Sequence, residues 1–370
     1  MVRKLVRMIS DFLQCYDGHR KEKKDMRKFE GFQRGVNLGG WLSQADETTK
    51  EHYDTFITDK DIRDIADMGI DHVRLPVDYT LIETPDGEAI EEGFRYIDQA
   101  VKWTRDAGLH LLLDMHNTHG YTFDPLEKEQ DKERFFFDEA LQERFYRMWD
   151  GIARRYASCC DTVAFELLNE VVSPRVAEAW NEIADRAVDV IRAHAPKAYI
   201  VIGGVRYNNV TSVPMLRKPK DDHIVYNFHC YEPLIFTHQR AYWVDNMPAD
   251  ITVHWPCTVE EYIQQSSLLQ GALAEAINHL PADTKGSQLF EGLFVPAVEA
   301  AEKNNAPLYC GEYGVIDQAP AEDALAWLRD IHAVFEKYQI GRALWNYKAK
   351  DFGFTDQRLD GVREELIRNL

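Results

Sequence analysis

The sequence predicts an α/β fold: a (β/α)8 TIM barrel with an N-terminal helical extension and a long insertion after the sixth strand. Three observations lead there. From Phe32 onward, short apolar runs alternate with segments of helical period. Eight such runs suit one closed parallel sheet, and 370 residues are ample for a barrel of about 250 residues with insertions. No Gly-x-Gly-x-x-Gly or Walker-type loop follows the first run, which disfavours an open nucleotide-binding sheet.

Taken in order, residues 1–30 form a basic extension and residues 31–370 a single catalytic domain. Residues 1–28 hold nine Lys or Arg against four Asp or Glu, while Val2, Leu5, Val6, Ile9, Phe12 and Leu13 keep helical spacing. A helix packed on the barrel is expected there. The strand runs end near Leu38, Leu75, Asp114, Leu168, Ile202, His229, Cys310 and Leu344. Between them, amphipathic helices are expected over Gly93 to Gly108 (Phe94, Ile97, Val101 and Thr104 inward), Pro174 to His194, and Ala321 to Tyr338. The connection from Tyr231 to the run before Glu312 is far longer than the rest. It contains Trp243, Trp255 and helical stretches near Val259 to Leu269 and Leu289 to Lys303, so an ordered excursion over the strand ends is expected.

Composition narrows the function. Hydrophobic content of 45% and charged content of 28% are ordinary for a globule, but the net charge of −19 disfavours nucleic acid or an anionic membrane as partner. A neutral substrate fits better. Aromatic residues make up 12% of the chain, including eight Trp, enough to supply stacking surfaces. The six cysteines show no metal-ligand spacing and read as reduced thiols. Ser10 and Asp11 interrupt the early apolar run, and no stretch approaches about 20 apolar residues, so a cytoplasmic protein without a membrane span is expected. With no Pro-, Ser- or Thr-rich linker in view, soluble substrates are favoured.

The chemistry gathers on one stretch, Ala164 to Pro174. It opens as an apolar strand and stops in Asn169-Glu170, groups that a strand buried on both faces tolerates only over a cavity. A second run, Pro307 to Gly314, ends on Glu312 in the same way, and two such carboxylates are what glycoside cleavage requires. Asn37, Arg74, His116, His229 with Tyr231, and Trp345 also fall at run ends, where barrel active sites lie. His116 and His119 have an H-x-x-H spacing but no clear third ligand, so neither a metal nor another cofactor is expected.

Seven stretches carry a resemblance: Gly35 to Trp41, His72 to Pro76, Leu113 to His116, Glu166 to Glu170, Asn227 to Pro233, Gly311 to Gly314, and Ala343 to Tyr347. In this order they resemble glycoside hydrolase family five, the cellulase family, among the retaining barrel glycosidases. The resemblance implies that Glu170 is the acid/base and Glu312 the nucleophile. Arg74 would keep Glu312 ionised, Tyr231 would orient it, and His229 would tune Glu170. Asn169 would meet the sugar 2-hydroxyl, His116 a neighbouring hydroxyl, and Trp345 the sugar face. Asn37, Trp41, His119, Tyr121, Phe236 and Trp243 are further candidates for substrate contact. The implied substrate is a β-glucan or gluco-oligosaccharide, cut as by an endo-β-1,4-glucanase. An exo-acting β-glucosidase or exo-β-1,3-glucanase, or a β-mannanase, is the alternative. A non-catalytic carbohydrate-binding protein is a remote one, since both glutamates are present.

Overall fold

The structure, a computed structural model, describes residues 26–126 and 132–370. Its strands are β1 (Arg34–Asn37), β2 (His72–Val77), β3 (His110–Met115), β4 (Val163–Glu166), β5 (Ile200–Gly203), β6 (Ile224–Cys230), β7 (Leu308–Tyr313) and β8 (Gly341–Leu344). They pair in parallel in chain order, and β8 closes on β1. This is the (β/α)8 barrel. Strands buried on both faces need apolar residues throughout, which is why the runs are continuous rather than alternating.

Helices Glu91–Asp106, Glu139–Tyr156, Ala177–Arg192, Ser287–Asn304 and Ala321–Tyr338 lie between strands in the chain. Phe94, Ile97, Val101 and Thr104 are all buried on the first of them. The last runs over the span its periodicity implies, ending in a left-handed Gln339.

The helix expected over residues 1–30 falls outside the described residues, except for its last five positions. Phe29 is among these, and it belongs to the barrel floor. Phe29 and Phe32 stack at 4.1 Å and pack with Leu112, Ala164, Val201, Val225, Tyr309 and Ala343 inside the barrel. Two residues further along each strand, alternation turns the next side chains to the same side: Asp114 beyond Leu112, Glu166 beyond Ala164, Asn227 beyond Val225. A polar layer therefore rests on an apolar plug.

β7 breaks the alternation. Phe228 pairs with Cys310 but His229 pairs with Glu312, and on the other side Cys310 pairs with Arg342 while Tyr313 pairs with Leu344. Gly311 is the extra residue of a bulge. Tyr309 faces the barrel interior, so strict alternation would send Glu312 outward to the helices; the bulge turns it inward. Tyr313 then faces out, its hydroxyl 2.9 Å from His332 Nε2. A Cβ at position 311 would lie 2.8 Å from Asn227 Nδ2, so only glycine fits. Cys310 packs on the outer face of the barrel in the core shared with Leu308 and Tyr313.

The excursion after β6 carries short helices Leu234–Thr237, Val259–Gln265 and Ala272–Glu275. Helix Ser287–Asn304 follows them and packs on helix Ala321–Tyr338 as one of the barrel's own, so the excursion is shorter than the whole connection. Trp255 anchors it, 5.9 Å from the rings of Phe236 and Tyr262. Among the described residues, no helix is long and apolar enough to cross a membrane.

Candidate active site

Arg74 of β2 stands fully buried in the polar layer. Its Nε and Nη2 donate to Glu166 Oε2 and Oε1 at 2.6 and 3.0 Å. Nη1 reaches Glu312 Oε1 at 2.6 Å and Asn37 Oδ1 at 3.0 Å, while Nη2 also meets Asn169 Oδ1 at 2.9 Å and Asp114 Oδ2 at 3.0 Å. A planar fork with five donors can serve so many acceptors at once; an ammonium cannot.

Glu312 is held from both sides, since its Oε2 accepts from the Tyr231 hydroxyl at 3.0 Å. Glu170 projects from the loop after β4, and its Oε1 lies 2.8 Å from His229 Nδ1. Tyr121 supports that loop by donating to the Glu170 carbonyl and accepting from Val172 N at 3.0 Å. Glu170 itself has φ +23°, a conformation that a non-glycine residue keeps only when its surroundings enforce it. One oxygen each from Glu170 and Glu312 and one nitrogen of His229 all lie within 4.8 Å of one another. Two carboxyl groups about 5 Å apart can flank a single anomeric carbon.

The two carboxyls do not titrate alike. Burial, and then the charge of Glu312, push Glu170 well above the usual carboxylate range. Burial also raises Glu312, but the Arg74 cation opposes it. Glu312 therefore ionises first and Glu170 keeps the shared proton. His229 is driven well below its ordinary value by burial and by Arg74, so its ring is neutral. Burial likewise lowers His116 to about 4, with its Nδ1 2.6 Å from Asp114 Oδ2.

Asp114 and Glu166 are both pushed up to about 7 by burial, against the pull of Arg74. The sign of the linkage follows. The folded chain holds protons on these groups that the unfolded chain releases near pH 4, so their stabilising contribution is complete below that and lost as pH rises through about 7. These two groups therefore pull the urea midpoint down between pH 5 and pH 8, against the opposite contribution of the buried neutral His116 and His229, and the midpoint of Asp114→Asn is expected to fall less over that interval than that of its parent. The same slope in Asp114→Asn as in its parent would show that the Asp114 carboxyl is already ionised.

The other candidates divide by burial. Trp345, 7% exposed, stacks on His116 at 5.9 Å and 4° and closes one wall of the mouth. Trp243 leans on the cluster of Tyr231, Ala241, Ile316, Trp345 and Phe352. Asn169 keeps its Nδ2 without a hydrogen-bond partner among the described residues. Four expected substrate contacts are corrected. Asn37 is fully buried, accepting from Arg74 and donating to Gly311 O at 2.9 Å and Ala343 O at 3.1 Å. Trp41 turns away into the core, its indole donating to Tyr53 O at 2.9 Å and its ring 6.0 Å from Trp103. Phe236 is wholly covered beside Trp255, and Tyr121 is 2% exposed beneath the Glu170 loop. His119 packs on Tyr79 at 4.0 Å, 3.2 Å from Glu83 Oε2.

His116 and His119 thus serve different carboxylates and form no ligand pair. The Glu170, His229 and Glu312 cluster is compact, with His229 Nδ1 engaged by Glu170 and both Glu312 oxygens by Arg74 and Tyr231, while His229 Nε2 has no hydrogen-bond partner among the described residues. Asn227 escaped the sequence reading of the site. It donates to Glu166 Oε1 at 2.8 Å and accepts from Gly311 N at 2.9 Å, and its place two residues before His229 was the signal.

A parallel eightfold barrel whose mouth brings two differently titrating carboxyl groups within 4.8 Å has the architecture of a glycoside hydrolase. Among such barrels the chain belongs to one family: the profile described as Cellulase (glycosyl hydrolase family 5) matches residues 30–351. It is 43% identical over 317 residues to Cellodextrinase A of Ruminococcus flavefaciens, covering 86% of each chain. It is 40% identical to Endoglucanase C of Acetivibrio thermocellus, covering 92% of this chain and 98% of the other. Among solved structures, the endoglucanase Cel5A of Thermotoga maritima superposes with a TM-score of 0.72 at 26% identity, covering 91% of this chain and 96% of that one.

Proposed function

We propose that the protein is a retaining endo-β-1,4-glucanase acting on soluble β-glucan chains and cello-oligosaccharides. Glu312 attacks the anomeric carbon while Glu170 gives its proton to the departing glycosidic oxygen, leaving a glycosyl ester on Glu312. Glu170, now ionised, takes a proton from water, whose oxygen displaces Glu312 with overall retention. His229 holds Glu170 in both states. Asn169 Nδ2, without a hydrogen-bond partner among the described residues, donates to the 2-hydroxyl as positive charge grows on the ring. Trp345 supplies the apolar face under that ring.

The observation that carries this reading is the pair of carboxyl oxygens within 4.8 Å, with Arg74 paired to only one of them. The names of the relatives at 43% and 40% identity support a β-1,4-glucan substrate. The test is a time course of products, resolved by chain length, from cello-, laminari- and manno-oligosaccharides. Internal fragments from the cello series are the expected result. Single sugars released from one chain end would replace the endo reading by an exo-acting one, and preference for the laminari or manno series would replace the β-1,4-glucan.

A further inference from the structure

The loop after β5 holds three consecutive non-glycine residues in the left-handed region: Arg206 at φ +58°, Tyr207 at +57° and Asn208 at +55°. Side-chain-bearing residues avoid this region, and a run of three persists only where surrounding contacts impose it. Three of those contacts lead to the residues after Glu170 and to His229. Arg206 N and Tyr207 N donate to Val172 O and Val171 O, both at 3.1 Å, which ties the loop to the residues directly after Glu170. Asn208 O accepts from His229 N at 2.8 Å, and Asn208 Oδ1 accepts from Gly204 N at 2.8 Å. A Cβ on Gly203 would lie 2.4 Å from Asn208 Oδ1, so the glycine makes room for that side chain.

Between two residues fastened in this way, Tyr207 remains half-buried, and its hydroxyl has no hydrogen-bond partner among the described residues. Burial and the nearby charges of Glu170 and Asp245 raise the phenol, so it stays a neutral donor. The order of strands around the mouth says which part of a substrate it meets. Trp345 and His116 stack at 5.9 Å across the arc from β8 to β3, and the sugar attacked by Glu312 would rest on that side. The leaving sugar, protonated by Glu170, would then extend toward the β5 loop, whose Tyr207 N is bonded to Val171 O directly after Glu170.

We propose that Tyr207 is a specificity-determining residue for the leaving-group sugar, its hydroxyl hydrogen-bonding the first ring beyond the cleaved bond. This rests on the assignment of Glu170 as the acid. The test compares cellotetraose with dinitrophenyl β-cellobioside, whose leaving group has no sugar hydroxyls. Tyr207→Phe removes one hydroxyl and keeps the ring, and is expected to lower kcat/KM for cellotetraose about five- to ten-fold, the value of one hydrogen bond. The loss on the aryl substrate is expected to be several times smaller, with an unchanged thermal midpoint. An equal fall on both substrates would reduce Tyr207 to a support for Glu170 and overturn the proposal, as would no change on either. Glu312→Gln run alongside separates the two readings: if it leaves both substrates turned over, the catalytic assignment fails, whatever Tyr207→Phe does.

Discussion

Glu312→Gln is expected to lower kcat on cello-oligosaccharides by about five orders of magnitude, equivalent to about 7 kcal/mol of transition-state stabilisation. The amide is nearly isosteric, and its one oxygen can still accept from Arg74 while its NH2 turns to the Tyr231 hydroxyl oxygen, but it cannot form the ester with the anomeric carbon. Arg74 keeps Asp114 and Glu166 as partners, so the loss of stability is expected to stay below the about 3–5 kcal/mol of a buried charge left unpaired. Glu170→Ala provides the complementary result. On dinitrophenyl β-cellobioside, departure needs no proton, so the glycosyl-enzyme forms and waits for a nucleophile that no base activates. Added azide is expected to restore turnover and yield a β-glycosyl azide, detected by the configuration of the product. Full oligosaccharide hydrolysis by Glu312→Gln, or an α-configured azide, would exchange or abolish the assigned roles.

Arg74→Met is expected to damage fold and activity together. It leaves Asp114, Glu166 and Glu312 in the interior without their cation, and breaking such a pair from one side costs about 3–5 kcal/mol. A fall of the thermal midpoint by roughly 5–15 °C follows. Uncompensated carboxyls also take up protons, so Glu312 would lose its ionised state over the range where Glu170 must stay protonated. The acid limb of the pH–rate profile is expected to move upward and the maximum to collapse. Arg74→Lys is expected to rescue little, because one ammonium cannot meet acceptors spread around a planar fork. A methionine variant as stable as its parent would show that the carboxyls are neutral without help from Arg74.

Much of this site could be read from the chain because it lies at strand ends. An apolar run that stops in Asn169-Glu170 or Glu312 cannot continue into a packed interior, and that incompatibility is local. The barrel followed from eight such runs separated by helical periods, and Arg74, His229 and Tyr231 were found by the same position rule. The aromatic residues were not. Trp41, Tyr121 and Phe236 have the composition of sugar platforms, yet each is covered by elements far from it in sequence, and no local pattern reports what covers a ring.

What the sequence by itself determined is the set of chemical groups and their order along the chain, because strand alternation and the cost of burying charge act over a few residues. Only the tertiary structure decided how those groups are paired. The bulge at Gly311 turns Glu312 from the helices to the mouth, Arg74 gathers acceptors from four other strands or their ends, and a left-handed turn after β5 ties Tyr207 to the residue after Glu170. Each depends on register and on contacts between distant segments, which follow from how the sheet closes rather than from any one run of residues.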